Sequence, residues 1–163
     1  MSIHIPSILE ILQQFIGHRH EIITRRTQFD LDKAQAREHI LEGLKIAVDN
    51  IDEVIKIIRG SEDTETASIR LRAAFERSEK QAEAILNMRL GRLTGLEMEK
   101  LDQELAELRS RIEELEGILA SRDRRMGIIV DELTELAGKY GDDRRTEVLP
   151  GGVILSEEDL IVE

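Results

Sequence analysis

Histidines and paired arginines are the residues of this chain whose chemistry could form a site. His18 and His20 suggest metal binding, but on a helix residues two positions apart point to different faces. Helical metal-binding pairs are three or four residues apart. We therefore expect both histidines to be exposed or to form ion pairs, whereas His4 and His39 are isolated. Because this sequence contains no cysteine, it has no disulfide, zinc–thiolate site or thiol nucleophile.

Arginines form the candidate anion-binding positions. Arg25 and Arg26 are followed by a threonine, and Arg144 and Arg145 follow the last predicted helix. Together with Arg19 they could bind phosphate groups through charge-assisted hydrogen bonds. The alternative is that they pair with the surplus carboxylates, since 34 acidic residues stand against 23 lysines and arginines.

No arrangement typical of catalysis is present in the sequence. It has no Ser-His-Asp set, no glycine-rich phosphate loop and no carboxylate pair at metal-ligand spacing. Tyr140 is the only tyrosine and falls on the apolar repeat of a predicted helix. We expect its ring to be packed, or to contact the root of the arm, rather than to be nucleophilic. The sequence therefore predicts that this chain is not an enzyme by itself.

The composition favours long, exposed helices. Of 163 residues, 35% are charged and only 2% are aromatic, which is little for a compact core of sheets and helices. The net charge of −11 argues against non-specific binding of the whole chain to DNA, RNA or an anionic membrane. No apolar run approaches the ~20 residues of a membrane span and no signal-peptide pattern is present, so we expect a cytoplasmic location.

The first long element is predicted over residues 1–59. From Ile8 to Ile58, steps of three and four residues meet apolar side chains except at three central positions, and Gly60 ends the pattern. One helix of roughly 50 residues would be about 75–80 Å long. The predicted stripe, exceptions included, is Ile8, Leu12, Phe15, Arg19, Ile22, Arg26, Phe29, Lys33, Ala36, Ile40, Leu44, Ala47, Ile51, Val54 and Ile58.

The second long element is predicted over residues 97–141, between a capping box that begins at Thr94 and a stop at Gly141. Its heptad pattern is cleaner, with Arg122 as the only charged seam position, and predicts a coiled coil. The predicted seam is Leu101, Leu105, Leu108, Ile112, Leu115, Leu119, Arg122, Met126, Ile129, Leu133, Leu136 and Tyr140.

The simplest topology for these elements is a helical hairpin. Residues 60–96 are predicted to form a head of two or three short helices, one of them capped by Ser78 and Gln81. The head is too small to bury its apolar surface without the tip of the arm or a second copy. Residues 142–163 are predicted to form a short extended tail. The predicted fold is all-α: a long antiparallel two-helix coiled coil capped by a small helical head.

A bend is predicted where both apolar stripes carry charged residues. If Ile58 and Leu101 flank the head, Arg122 lies opposite Lys33 to Arg37, where the first stripe is also charged. Gly127 weakens the helix by roughly 1 kcal/mol relative to alanine. Arg122 and Gly127 are therefore the predicted hinge. The alternative is that Arg122 extends its charge to water or pairs with a carboxylate, and that the helix stays straight.

Three stretches of the sequence resemble one protein family. They are HRHEIITRRTQFDLDKAQAREHILEGL from His18, SEKQAEAILNMRLGRLTGLEMEKL from Ser78 and KYGDDRRTE from Lys139. In this order they are similar to the arm of bacterial type IIA DNA topoisomerase A subunits: the outgoing coiled coil, the dimerisation head with the returning helix, and the return toward the main body of the protein. The ending at Thr146 and Glu147 is more similar to the gyrase branch than to the topoisomerase IV branch.

The resemblance implies an exit gate. In the family, two arms meet through their heads below the DNA, and the transported duplex leaves when the heads part. The resemblance thus implies a homodimer, with duplex DNA and a B-type protein as further partners, and no membrane. The predicted dimer-interface residues are Ile85, Leu86, Met88, Leu90 and Leu93. The predicted DNA-proximal root consists of Arg19, Arg25, Arg26, Arg144 and Arg145.

The resemblance also implies what this part of the family lacks. The catalytic tyrosine of the family lies in an Arg-Tyr-Thr motif that this sequence does not contain, and the Arg25-Arg26-Thr27 stretch is not its equivalent. ATP and magnesium belong to the B-type partner, so no cofactor is expected here. Two further hypotheses stay open: a free-standing coiled-coil adaptor with no DNA role, and a root that binds DNA by itself.

Overall fold

The structure, a computed structural model, describes residues 6–89, 91 and 94–146. These residues form α1 (Ile8–Asp49), α2 (Ile51–Arg59), α3 (Thr64–Phe75), α4 (Glu79–Leu86), α5 (Gly95–Ala120) and α6 (Arg122–Tyr140). Since they contain no strand, the predicted all-α class is confirmed. None of these helices has the length and apolar character needed to cross a membrane. The extended pieces predicted after Glu147, and the interface candidates Leu90 and Leu93, lie outside the described residues.

Both long helices are interrupted where the sequence predicted continuous ones. Between α1 and α2, Asn50 has φ −122° and ψ 37°, and its side-chain amide donates to the Ile46 carbonyl at 2.9 Å. Such a bond from a side chain to its own backbone competes with the regular helix. Between α5 and α6, Ser121 is extended, with φ −112° and ψ 115°. Each predicted long helix is therefore a pair of helices.

Helices α1 and α5 lie antiparallel. Lys45 Nζ is 2.8 Å from Asp102 Oδ1, and the earlier Glu38 pairs with the later Arg109 at 3.0 Å. Between the two helices, aliphatic side chains form a continuous contact, as the heptad pattern of α5 predicted. One buried cluster contains Leu31, Ala34, Ile112 and Leu115, flanked by Leu108 and Leu119.

The buried stripe of α1 runs beside the predicted stripe rather than along it. The predicted positions Arg26, Phe29 and Lys33 are exposed, and the Phe29 side chain is 67% exposed. In this part of α1 the buried positions mostly lie one residue after the predicted ones, and one residue corresponds to a rotation of about 100° around the helix. The predicted positions therefore leave the contact surface. The observed buried positions in this part of α1 are Ile23, Thr27, Leu31, Ala34 and Leu41.

The head packs along the side of α1 rather than beyond its end. Leu101, near the start of α5, lies in one cleft with Leu44, whereas Ile58 is exposed. The predicted placement of Leu101 opposite Ile58 is therefore wrong. Its physical cause is the docking of α4 onto the C-terminal half of α1, which lets the outgoing chain continue past the start of α5.

The residues of α1 that face Arg122 also differ from those assumed for the predicted bend. Arg122 lies in a cleft with Gly17 and His20, not opposite Lys33 to Arg37. Since Lys33 is not on the buried stripe, the two helices do not lose apolar contacts together at that height. The predicted reason for a bend near Arg122 is wrong, although α5 ends directly before this residue.

The short helices of the head begin with side-chain caps. Asp63 Oδ1 accepts from the Thr66 amide at 2.7 Å at the start of α3. Ser78 Oγ accepts from the Gln81 amide at 3.2 Å, while Gln81 Oε1 accepts from the Ser78 amide at 3.1 Å, which confirms the predicted cap of α4. Apolar residues of α1 to α5 form the core of the head: Leu41, Leu44, Ala47, Val54, Leu71, Ala82, Ile85 and Leu105.

The contacts divide the chain into two compact units, Met1–Ile129 and Val130–Glu163. All contacts given above lie in the first unit. In the second, α6 ends as predicted before Gly141, whose amide donates to the Ala137 carbonyl at 2.8 Å. The Tyr140 side chain is 77% exposed, so its ring is not packed within the described residues, and its contact with the root stays a prediction.

Candidate functional site

Charged side chains fix the pairing of α1 with α5. Arg109 donates to Glu42 Oε1 at 2.7 Å and to Glu38 Oε1 at 3.0 Å, and these hydrogen bonds, to Glu42 first, raise the pKa of Arg109. The hydrogen bond from Lys45 to Asp102 raises the pKa of Lys45. Since solvent-accessible ion pairs contribute little stability, their main effect is to specify which residues face each other.

A buried glutamine joins the head to the arm. The Gln81 side chain is 2% exposed, and its Nε2 donates to the His39 carbonyl of α1 at 2.7 Å. A Cβ on Gly43 would lie 2.7 Å from Gln81 Cγ and 2.8 Å from its Cβ, so only glycine leaves room for this side chain. His39 Nε2 is 2.6 Å from Ser78 Oγ. The sequence indicated the cap at Ser78, but not the role of His39 or the burial of Gln81.

The predicted dimer-interface residues have different environments. Ile85 is 3% exposed and belongs to the core of the head, so its surface is used within the chain. Leu86 and Met88 are half-buried and pack against that core. Leu90 and Leu93 lie outside the described residues. Of the described candidates, Leu86 and Met88 keep surface that a partner could contact.

A cleft with apolar and charged walls borders this part of the head. It has a volume of about 150 Å³, and its lining residues are Leu44, Val48, Met88, Met98 and Leu101 together with Glu97, Lys100 and Glu104. Leu96, two residues before Met98, is 65% exposed. Methionine side chains adapt their shape to a contacting surface, which suits a contact that forms and separates.

The neighbouring histidines have separate environments. His18 is exposed, whereas His20 is half-buried and its Nε2 accepts from Arg125 Nε at 3.2 Å. Among the described residues, no group of three or more histidine, aspartate or glutamate side chains is arranged to hold a metal ion.

The root arginines of the first unit all lie on α1. Arg25 Nη2 is 2.5 Å from Glu21 Oε1, one turn earlier, so pairing with a carboxylate occurs for this residue. Arg19 is half-buried and Arg26 is exposed. These residues belong to the part of α1 that precedes the head.

The root arginines of the second unit follow α6. Arg145 Nη2 is 2.9 Å from Asp142 Oδ2, and Arg144 Nε donates to the Thr146 carbonyl at 2.9 Å. The predicted root combines residues of both units, so its assembly stays a prediction.

The predicted hinge residues both lie just after the break between α5 and α6. Arg122 is the first residue of α6, directly after the extended Ser121, and its side chain is exposed. With Gly17 and His20 it lines an open cleft of about 470 Å³. Gly127, in the second turn of α6, has open space where a Cβ would stand. The break is observed, while motion about it stays a prediction.

The described residues of the first unit thus form an antiparallel helix pair with a helical head packed on its side. The family of DNA gyrase and topoisomerase IV A subunits matches residues 3–134, and the chain belongs to this family. The resemblance to bacterial type IIA topoisomerase A subunits is thereby confirmed. Membership also removes the basis for a free-standing adaptor unrelated to this family.

Curated relatives agree with this assignment. The DNA gyrase A subunit of Clostridium acetobutylicum is 51% identical over 161 residues, which are 97% of this chain and 19% of the relative. Its counterpart in Streptococcus pneumoniae strain R6 is 52% identical over 163 residues, 98% of this chain and 20% of the relative. The DNA gyrase A subunit of Staphylococcus aureus strain MRSA252 is 50% identical, and the match covers 96% of this chain and 18% of the relative. The chain thus spans about a fifth of the length of these relatives, whose names favour the gyrase branch of the family.

Proposed function

We propose that this chain is the arm and dimerisation head of the exit gate of a gyrase-type type IIA topoisomerase. Such an enzyme passes one DNA duplex through a double-strand break and so alters supercoiling. The observation that carries the proposal is the antiparallel α1–α5 pair, with α4 docked beside it, in a chain of this family. The proposed role is mechanical: the arm holds the head at a distance and transmits its opening.

The charge of α5 supports a gate that does not retain DNA. From residue 95 to residue 116, eight acidic residues stand against three basic ones. Acidic side chains repel the phosphates of a duplex, and a wall that bound phosphates tightly would slow release. An acidic arm therefore suits a passage through which DNA must leave.

We propose a homodimer whose two-fold contact includes the Met88 side of the head. Met88 and Leu86 retain surface, Leu96 is exposed, and Met88 lines a cleft with Leu44, Met98 and Leu101. Ile85 supports this surface from inside the core. Partners of the whole enzyme are proposed to be duplex DNA and a B-type protein.

We propose that the root, in the N-terminal half of α1, lies close to DNA. Arg19, Arg25 and Arg26 are the basic residues of this part of α1, and Arg25 pairs with Glu21. Arg144 and Arg145 are the proposed contribution of the second unit. Binding by these residues should weaken steeply with salt, because it would rest on phosphate contacts.

Catalysis is proposed to reside outside this chain. The tyrosine that attacks DNA belongs to another part of the full-length protein, whereas ATP and magnesium bind the B-type partner. We therefore expect that the isolated chain neither cleaves nor relaxes DNA. We propose that the full-length enzyme is cytoplasmic. A covalent DNA adduct at Tyr140 would contradict this assignment.

The hinge of the gate is proposed at the segment from Ser121 to Gly127. The helix is already interrupted at Ser121, and Gly127, inside α6, has low helix propensity and open space where a Cβ would stand. Both features lower the cost of bending at this point relative to an intact helix.

A cross-linking experiment on the full-length enzyme tests the gate. In a full-length protein without other cysteines, Met88→Cys would be joined across the two-fold axis with a bifunctional maleimide. We expect the linked enzyme to cleave DNA but to lose supercoiling activity by at least about ten-fold. Ile69→Cys, on an exposed position of α3, is the matched control. Full supercoiling by completely linked enzyme would refute the exit-gate role.

A further inference from the structure

We infer that Arg125 is a positioning residue that keeps the returning helix broken at Ser121. The local sequence does not require a break there. Ala120 and Arg122 are strong helix formers, and neither proline nor glycine stands at the junction. A tertiary contact must therefore stabilise the extended conformation of Ser121.

The guanidinium of Arg125 occupies the acceptors that a continuous helix would use. In such a helix, the amides of Arg122 and Asp123 would donate to the carbonyls of Ile118 and Leu119, four residues earlier. In the structure, Arg125 Nη1 donates to the Ile118 carbonyl at 2.9 Å and to the Leu119 carbonyl. One side chain thus replaces two backbone donors at the end of α5.

Ser121 caps the start of α6 on the other side of the break. Its Oγ accepts from the Arg124 amide at 3.2 Å, and its carbonyl accepts from the Arg125 amide at 3.3 Å. Within the described part of the chain, the amides of Arg122 and Asp123 have no protein acceptor. These two amides report directly on whether the helix is broken or continuous.

Helix α1 holds the guanidinium in place. Arg125 Nε donates to His20 Nε2 at 3.2 Å, and Thr24 Oγ1 donates to the His20 carbonyl at 2.9 Å. In this contact His20 Nε2 is the acceptor and the Arg125 guanidinium is the donor. The break is therefore fixed by a contact between helices α1 and α6, not by the junction alone.

These contacts define two conformations of the returning helix. With Arg125 engaged, α5 and α6 are separate; without it, the amides of Arg122 and Asp123 can close the helix across Ser121. This inference concerns the local conformation and does not depend on the proposed gate. In a gate, it would supply an element with two discrete states.

Hydrogen exchange resolved at single amides tests the inference. Arg125→Met keeps the apolar stem of the side chain and removes its donors. We expect exchange at Arg122 and Asp123 to slow by about ten-fold or more, because both amides gain helical acceptors. His20→Leu should slow the same amides to a smaller extent, since it removes only the contact with α1.

Arg124→Met is the matched control, because its guanidinium donates to no carbonyl of α5 in the described residues. The head amides of Ala82 and Ile85 monitor the fold. Loss of structure would speed exchange throughout, which is opposite in sign to the expected local slowing. Unchanged or faster exchange at Arg122 and Asp123 with a protected head would overturn the inference, as would equal slowing in Arg124→Met.

Discussion

At the scale of single residues, Gly43 and Gln81 fit closely against each other. We expect Gly43→Ala to destabilise the protein by about 1–3 kcal/mol, because the new methyl group would displace a side chain that is hydrogen-bonded in place. Urea unfolding followed by circular dichroism measures the change in the free energy of unfolding.

Gly17→Ala is the control for this substitution. Gly17 is also inside α1, but its Cβ would meet no neighbouring atom. The same change should therefore stabilise the helix by about 0.5–1 kcal/mol through the intrinsic preference for alanine. Equal effects of the two substitutions would show that Gln81 is not confined by Gly43.

Asp63 should make the stability of the protein depend on pH in the acid range. The hydrogen bond from the Thr66 amide lowers the pKa of Asp63. With a lowered folded-state pKa, the charged carboxylate stabilises the fold above the unfolded-state pKa, and this contribution is lost as the pH falls through the folded-state value. Asp63→Asn keeps a capping oxygen that does not titrate, so its unfolding free energy should fall less steeply on acidification.

Unfolding by urea at a series of acidic pH values checks this prediction. Asp63→Ala is the comparison, because it removes the cap and should be less stable at every pH. If the unfolding free energies of the parent chain and of Asp63→Asn fall equally steeply on acidification, this carboxylate does not cause the pH dependence of stability.

Some residue-scale features follow from the sequence and others do not. The cap at Ser78 is local, since donor and acceptor are three residues apart. The bond from Gln81 to His39 spans 42 residues, and that from Arg125 to His20 spans 105. No local pattern contains such pairs, because they exist only once the helices have been brought together.

At the scale of helices, α5 was predictable and α1 was less so. The seam of α5 consists of leucines and isoleucines whose burial dominates its choice of face. The buried stripe of α1 includes Thr27 and Ala34, while the large apolar Phe29 is exposed. Apolar character alone therefore selects the wrong face of α1. The register was wrong because the docking of the head along α1 leaves no periodic signal.

Cross-linking between α1 and α5 distinguishes the observed register from the one predicted by counting. The chain has no cysteine, so introduced pairs react alone. We expect Lys45→Cys with Asp102→Cys to be joined efficiently by a short bismaleimide, because the native side chains are in contact. Ile58→Cys with Leu101→Cys is the matched pair from the counted register and should remain unlinked. Preferential linking of the second pair would contradict the helix pairing described above.

At the scale of the whole molecule, we expect a dimer that depends on the Met88 side of the head. Met88→Asp replaces an apolar contact surface by a negative charge, close to Glu97 and Glu104, and should weaken dimerisation by at least about ten-fold. Sedimentation equilibrium measures the dissociation constant, and circular dichroism monitors the fold. Ile69→Asp, on the exposed face of α3, should leave the dimer intact. A monomeric parent chain, or equal effects of both substitutions, would rule out this interface.

The docking of α4 onto α1 also affects how the chain folds during synthesis. The contacts of Gln81 with His39 and Gly43 can form once α4 has left the ribosome, before α5 has emerged. Because chains fold from the N-terminus as they are made, α5 emerges next to an already assembled surface that includes Leu41 and Leu44. The first turns of α5 therefore pack against a single preformed surface. The order of translation thus selects which residues of α1 and α5 face each other, and the rest of the two helices pair in the same alignment.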